Sequence, residues 1–244
     1  MTFLKLARFQ FKLYVKDTYF VNLVIIETTT MLLYQYLAHY IGHTYTGQEW
    51  LIAGVIGTWA SCTTSAGALG YQQWQGTLPY LLNTVISHEK VLLATLMPAA
   101  LYGLVSFPLA GIEAKILGMP IKLLDWQLIL GILLLWLAAT TLSYFISLFF
   151  LLSRNAMAYE QLLLLPILLL SGLIGIPTFI ANAIRPFQML SPLTLPIKLI
   201  YHVAIHLGWI VTFMAVMIGL LVLCKLLTDN IIKHAFKEGR LNIF

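Results

Sequence analysis

Charge is what this sequence has least of. Only 9% of its 244 residues are Asp, Glu, Lys or Arg, against about a quarter in ordinary soluble domains. A globule of this length could not cover its surface in water with so few charges. That excludes a soluble enzyme, a disordered regulator and a nucleic-acid-binding domain, although the formal net charge is +5. Cysteine is scarce as well: Cys62 and Cys224 each sit in an apolar run, which argues against a disulfide framework or a Cys-rich metal cluster. Catalytic signatures are missing. There is no Gly-x-x-x-x-Gly-Lys-Ser/Thr phosphate loop, no Gly-x-Ser-x-Gly elbow and no pair of intramembrane aspartates. The chain is therefore not expected to be an enzyme, and any uphill transport would draw its energy from a partner or an ion gradient. No compact apolar core with a small-residue cleavage site follows Lys5, Arg8, Lys12 and Lys16, so the N-terminus is not a conventional secretory signal.

What the chain does have is apolar surface, 60% of its residues, and that places it in a bilayer. Six spans of roughly 20 residues each are expected, at 20–38, 51–70, 91–111, 127–152, 158–180 and 207–227. Residues 1–18 precede them as an interfacial segment. At 100° per residue, Lys5, Arg8, Lys12 and Lys16 fall within about 80° of one another. Phe3, Leu4, Leu6, Ala7, Phe11, Leu13 and Tyr14 cover most of the remaining surface, with Phe9 out of pattern. Such a helix lies in the headgroup plane with its basic face toward anionic lipid. The expected fold is thus all-α: an interfacial helix over 1–18 and a six-span transmembrane domain over 19–244. With the N-terminus inside, Lys5, Arg8, Lys12, Lys16, Lys90, Arg154, Lys225, Lys233, Lys237 and Arg240 lie inside, and Lys115, Lys122, Arg185 and Lys198 outside. That asymmetry puts both termini, including the tail 228–244, in the cytoplasm.

The second span carries two stripes of small residues, Ala53, Gly57, Ser61 and Ser65, and Gly54, Thr58, Cys62, Ala66 and Gly70. Small residues every fourth position let helix backbones approach closely in lipid, so this helix is expected to be central. The fifth span contains Pro166, Ser171, Gly172, Gly175 and Pro177. The stretch 181–204 then interleaves Pro186, Pro192 and Pro196 with Leu190, Leu193, Leu195 and Ile197. Too apolar for a free loop and too broken for a span, it reads as short re-entrant segments packed against protein or lining a cavity.

Glu27 is the acidic residue well inside a predicted span, followed by Thr28, Thr29 and Thr30. An ionised side chain at mid-bilayer costs roughly 2.5–3.5 kcal/mol on insertion scales. Glu27 is therefore expected to face the protein interior or a wet cavity, or to be protonated. His39/His43 and His202/His206 have the i, i+4 spacing of a metal half-site. No Glu stands between them and no carboxylate is fixed nearby by spacing, so no metal is assigned.

The connection 71–90 between the second and third spans is the most informative. It reads Tyr71-Gln72-Gln73-Trp74-Gln75-Gly76-Thr77-Leu78-Pro79-Tyr80-Leu81-Leu82, then Asn83 to Lys90. Gly76 can end one helix, and Thr77 can cap the next with Pro79 in its first turn. Leu78, Leu81 and Leu82 would then form an apolar face on a short surface helix, which needs a protein partner or lipid.

Here the chain resembles the type-2 ABC exporter permeases, membrane subunits that pair with a separate ATPase. Gln75-Gly76-Thr77-Leu78-x-x-Leu81-Leu82, followed by Val85-Ile86-Ser87, is similar to that family's coupling segment. Leu165-Pro166 through Leu170-Ser171-Gly172, then Pro177 and Leu190-Ser191-Pro192-Leu193-Thr194, is similar to its fifth span and outer re-entrant helices. Phe236-Lys237-Glu238-Gly239-Arg240-Leu241 resembles its basic tail. The family usually carries charges before the Gly-Thr-Leu and a Glu after it, where this chain has Gln72, Gln73, Gln75 and Pro79; Val85 stands where Pro is common.

The resemblance implies a dimeric permease in a bacterial cell membrane that docks an ABC ATPase subunit through Gln72, Gln75, Gly76, Thr77, Leu78, Pro79, Leu81 and Leu82. It implies a translocation path near Glu27, Thr30, Gly57, Ser61, Ser65, Ser171 and Gly172. ATP and Mg would bind the partner ATPase, and this chain would bind no cofactor of its own. The second permease could be an identical or a different chain. External loops of this length build no receptor domain, which favours a membrane-partitioning cargo such as a drug, lipid or antimicrobial peptide. Two other readings stand beside it: an ion-coupled carrier or channel using Glu27, and a non-transporting membrane scaffold or immunity protein.

Overall fold

Backbone N–H and C=O groups removed from water must find partners, and an α-helix supplies them within its own segment. The computed structural model describes residues 3–16, 18–42, 44–121, 125–152, 166, 167, 170–173, 184 and 186–237, apart from the side chain of Trp74. Among these residues the elements are helices and no strand occurs. They are α1 (Phe3–Val15), α2 (Thr18–Tyr40), α3 (Glu49–Trp74), α4 (Leu78–Leu82), α5 (His88–Tyr102), a 3-10 turn (Gly103–Val105), α6 (Ser106–Ile116), α7 (Trp126–Leu152), α8 (Thr194–Ile200) and α9 (Leu207–Lys237).

Among the described residues, four stretches are long and apolar enough to cross a bilayer: α2, α5–α6 taken together, α7 and α9, of 23, 29, 27 and 31 residues. They coincide with the first, third, fourth and sixth expected spans. α3 is as long, 26 residues, but Thr58, Ser61, Thr63, Thr64 and Ser65 lower its hydropathy. The reason lies in its surroundings. α3 packs against α2, α5, α6 and α7, so it meets protein on most sides and has little need of lipid-compatible side chains. Most of the expected fifth span, 158–180, lies outside the described residues.

The third span is longer than expected and is not one uninterrupted α-helix. Pro98 lies within α5, and the chain tightens into the 3-10 turn before continuing as α6 to Ile116. α2 and α9 are peripheral: only 22% and 17% of their most apolar windows are buried, against 61% for α5–α6. α9 lays Trp209, Phe213, Met217, Cys224 and Thr228 toward the protein and packs chiefly on α7. α8 also rests on α7, where a Cβ on Gly131 would come within 2.9 Å of the Ile200 side chain. Leu193, Leu195, Ile197 and Ile200 are buried there, so this Pro-broken stretch is packed against protein.

α1 is held by protein as well. Leu6, Gln10 and Tyr14, spaced i, i+4, i+8, are buried, and the helix packs on α5 and the start of α2. Leu6 joins Val91 and Leu92, while Tyr14 joins Phe20, Ala68 and Ala99. Lys5, Arg8, Lys12 and Lys16 stay exposed, beside Leu4, Phe9, Phe11, Leu13 and Val15, which are exposed too.

Candidate functional site

Two places gather the residues that sequence reasoning singled out. The first is a seam where α3 meets α2, α5 and α6. Gly54 and Gly57 face it because nothing larger fits. A Cβ on Gly57 would overlap Thr28 Oγ1 and stand 2.7 Å from Ser106 Cβ; one on Gly54 would come within 2.5 Å of the Phe107 ring. Thr58 Oγ1 lies 2.9 Å from both Gly54 O and Gly103 O and 2.7 Å from Ser106 Oγ. Ser106 Oγ is 2.8 Å from Gly54 O and 2.6 Å from Gly103 O. Ser61 Oγ donates to Ala99 O at 2.8 Å, and Ser65 Oγ donates to Cys62 O.

Gly57, Ser61 and Ser65 thus line a closed helix contact, each 3% exposed or less where a side chain is present. In this arrangement all three are buried among helices. Small residues were the right signal for close approach, but spacing alone does not separate packing from a pore.

Of the three expectations for Glu27 (protein interior, wet cavity or protonation), the first does not hold within this chain: Glu27 is exposed on the outer side of α2, with Ile25, Ile26, Leu33 and Leu37. Thr30 is exposed beside it. The turn of α2 that faces inward carries Thr28 and Leu32 instead. Ser171 is buried and Gly172 is exposed at φ +82°, in a turn next to Gln188. The seam residues and the Glu27 face therefore lie on different sides of the helices they belong to.

Glu113 was missed because the expected third span stopped at 111. In the longer helix it accepts a hydrogen bond from Thr29 Oγ1 at 2.6 Å, and its Oε2 is buried without a partner. Ser106 was missed too; its signal was a lone Ser followed by Pro108 inside an apolar run.

The second place is the α3–α4–α5 connection. α3 ends in a left-handed cap: Gly76 has φ +69°, Gly76 N–H donates to Gln73 O and Thr77 N–H to Gln72 O, each at 3.0 Å. This is the double hydrogen bond that glycine at this position favours. Thr77 occupies the cap position of α4, yet makes no side-chain capping bond. Its hydroxyl turns back to Gln72, to the backbone O at 3.1 Å and to Oε1.

The apolar face of α4 departs from the expected exposed face. Leu78 and Leu82 are 0% and 2% exposed, packed with Leu69, Val91, Leu92 and Leu148. Pro79 is buried and Leu81 half-buried. The face that sequence reasoning left for a partner is covered by the chain's own α3, α5 and α7. Gln75, Gly76, Thr77, Tyr80, Asn83, Val85 and Ser87 are what this connection exposes, with Tyr80 at 60% and Val85 fully open. At its far end, His88 Nδ1 lies 2.8 Å from Asp229 Oδ1, tying α5 to α9.

Of the histidine pairs, His39 meets Thr44 Oγ1 at 3.1 Å, and His43 lies outside the described residues. His202 Nε2 faces Asp125 Oδ2 at 3.6 Å. Among the described residues no three His, Cys, Asp or Glu side chains gather as metal ligands would. Compared with family models, with curated proteins and with solved structures, the chain matches none.

Proposed function

We propose that the chain is the membrane-spanning permease subunit of an ATP-driven exporter, moving a membrane-partitioning cargo by alternating access while a separate ATPase binds ATP and Mg. Six spans are assigned to α2, α3, α5–α6, α7, residues 158–180 and α9, with both termini in the cytoplasm of a bacterial cell. The observation that carries the reading is the α3–α4–α5 connection: a glycine-capped break followed by a short helix rooted in the core by Leu78 and Leu82, with Tyr80 exposed on it and Val85 exposed in the turn that follows. A knob anchored this way passes a push on its exposed side into α3, α5 and α7. Its resemblance to a coupling segment supplies the partner. Leu78, Pro79 and Leu82 then act as the anchor, Leu81 sits half-buried beside them, and contact falls to Tyr80 and Val85, with Gln75, Gly76 and Thr77 at the rim. Gln72, buried, braces the cap from within.

Glu27 and Thr30 on an otherwise apolar face of α2 favour a second permease subunit there, since lipid is a costly neighbour for a carboxylate. Co-expression with an ABC ATPase, followed by pull-down and ATPase assay, tests the coupling assignment. Tyr80→Asp with Val85→Asp is expected to abolish coupled ATPase activity without unfolding the permease; coupling that survives this pair refutes the assignment.

One observation favours the ion-coupled reading: the buried, unpartnered Glu113 Oε2 beside Thr29 places a second carboxyl near the seam. Transport that continues with no ATPase present and stops in Glu113→Gln would select it.

A further inference from the structure

A cavity opens where the ends of α1 and α3 meet the start of α2, bordering the Gly76 break. Leu13 and Tyr14 line it from α1 with Lys16 just beyond, Thr18 and Phe20 from α2, and Tyr71 and Gln72 from α3 with Gln75 just beyond. Its volume is about 310 Å³, room for about ten water-sized groups at roughly 30 Å³ each, the size of a phosphate ester carrying a glycerol. Its polar lining residues, Lys16, Thr18, Tyr71, Gln72 and Gln75, all carry groups that can donate hydrogen bonds to an anion. Gln72 is 3% exposed, and its Oε1 is already engaged by Thr77. That leaves its NH2 as the end with hydrogens to give. Leu13 and Phe20 form an apolar wall. The exposed Lys5, Arg8, Lys12 and Lys16 alternate along α1 with exposed Leu4, Phe9, Phe11, Leu13 and Val15, a mixture suited to the height of lipid headgroups.

We propose that this cavity is a specific site for the phosphodiester headgroup of an anionic lipid such as phosphatidylglycerol. The lipid phosphate sits at Lys16 and the two glutamines, and its acyl chains leave past Leu13 and Phe20. Because Gln72 also holds Thr77 across the Gly76 cap, the occupied site stiffens the break that carries α4. The proposal rests on the bilayer placement alone and not on an ATPase partner. A chain that stays in solution without detergent would refute that placement; the comparison below addresses the site.

Native mass spectrometry of the detergent-solubilised full chain tests it, with phosphatidylglycerol, phosphatidylcholine and sn-glycerol 3-phosphate as probes. Lys16→Ala and Lys12→Ala remove the same charge from the same stripe, but only Lys16 lines the cavity. Gln75→Trp keeps Lys16 and fills the space. One phosphatidylglycerol per chain is expected to be retained in preference to phosphatidylcholine. Lys16→Ala and Gln75→Trp should each weaken it about tenfold or more, as loss of a charge-assisted contact or of the space itself implies, and Lys12→Ala less than about twofold. Equal losses in Lys12→Ala and Lys16→Ala would overturn the site in favour of diffuse surface attraction, as would equal retention of phosphatidylcholine. Glycerol phosphate binding as tightly as the lipid would overturn the lipid assignment and leave a free phosphate ester as ligand.

Discussion

Gly57→Ala is the sharpest probe of the seam, because two effects of opposite sign meet there. In an open helix, replacing Gly by Ala stabilises by about 1 kcal/mol. At Gly57 the added methyl would overlap Thr28 Oγ1 and stand 2.7 Å from Ser106 Cβ, and overpacking of that kind costs about 1–3 kcal/mol. The methyl meets buried atoms on two sides, so the clash should win. In a chain of this size each kcal/mol moves the melting temperature by roughly 2–4 °C, which differential scanning fluorimetry in detergent resolves. Thr28→Ala supplies the second edge of a double-mutant cycle. Thr28 Oγ1 is buried without a partner, so its loss alone should be mild, and it removes the nearest obstacle to the new methyl. The two changes together should recover about 1 kcal/mol relative to their sum. Gly219→Ala, whose Cβ would meet nothing within 4 Å, is the control expected to hold or raise stability. A Gly57→Ala protein as stable as wild type, or strict additivity with Thr28→Ala, would refute backbone-level contact between α2, α3 and α6.

Three further outcomes follow from other residues. His202 is the left-handed cap residue of α8, at φ +55°, with Val203 N–H donating to Lys198 O and His202 N–H to Leu199 O; glycine fills the same role at Gly76. Since a side chain there costs about 1–2 kcal/mol and the Asp125 contact is partly exposed, His202→Gly should raise the melting temperature. Glu49, at the start of α3, is 1% exposed; burial would raise its pKa, but hydrogen bonds from Thr46 and Gly47 outweigh it and hold the carboxyl below its ordinary value. A lowered folded-state pKa means this stabilisation is complete above the ordinary carboxylate range and fades as pH falls through the folded value. The stability gap between wild type and Glu49→Gln should therefore be widest near neutral pH and close in acid, as melting curves across pH would record. Leu78→Asp buries an unpaired charge and should cost upward of about 4 kcal/mol or prevent folding, whereas Tyr80→Asp, on the exposed side of the same helix, should stay within about 0.5 kcal/mol by the same melting assay.

Much of the helical plan was legible because lipid-compatible helices leave long apolar runs: α2, α7 and α9 fall where hydropathy put them. α3 was placed as an apolar span at 51–70, and its two small-residue stripes made its central position legible, as its packing on α2, α5, α6 and α7 bears out. The Gly76 break was legible because a left-handed cap favours glycine. What periodicity could not supply was the direction a face turns. Leu78 and Leu82 share a face by spacing, but tertiary packing with Leu69, Val91, Leu92 and the sequence-distant Leu148 decides that it turns inward. The cost of a mid-bilayer charge left Glu27 three outcomes, interior, wet cavity or protonation, and one chain's sequence does not choose among them. Thr77 had the right identity for a cap, and the buried Gln72 amide beside it drew its hydroxyl away. Glu113 was hidden because α6 runs on to Ile116, beyond the expected end of the span at 111.

The central claim, that α4 is the docking knob for an ATPase, is tested most directly by placing a photo-crosslinking amino acid at Val85 in intact membranes. The account predicts capture of one partner that binds a photoreactive ATP analogue and hydrolyses ATP, and no such capture from the outward-facing Leu226 on α9. A partner that does not bind nucleotide, or equal capture of an ATP-binding protein from both positions, would contradict it.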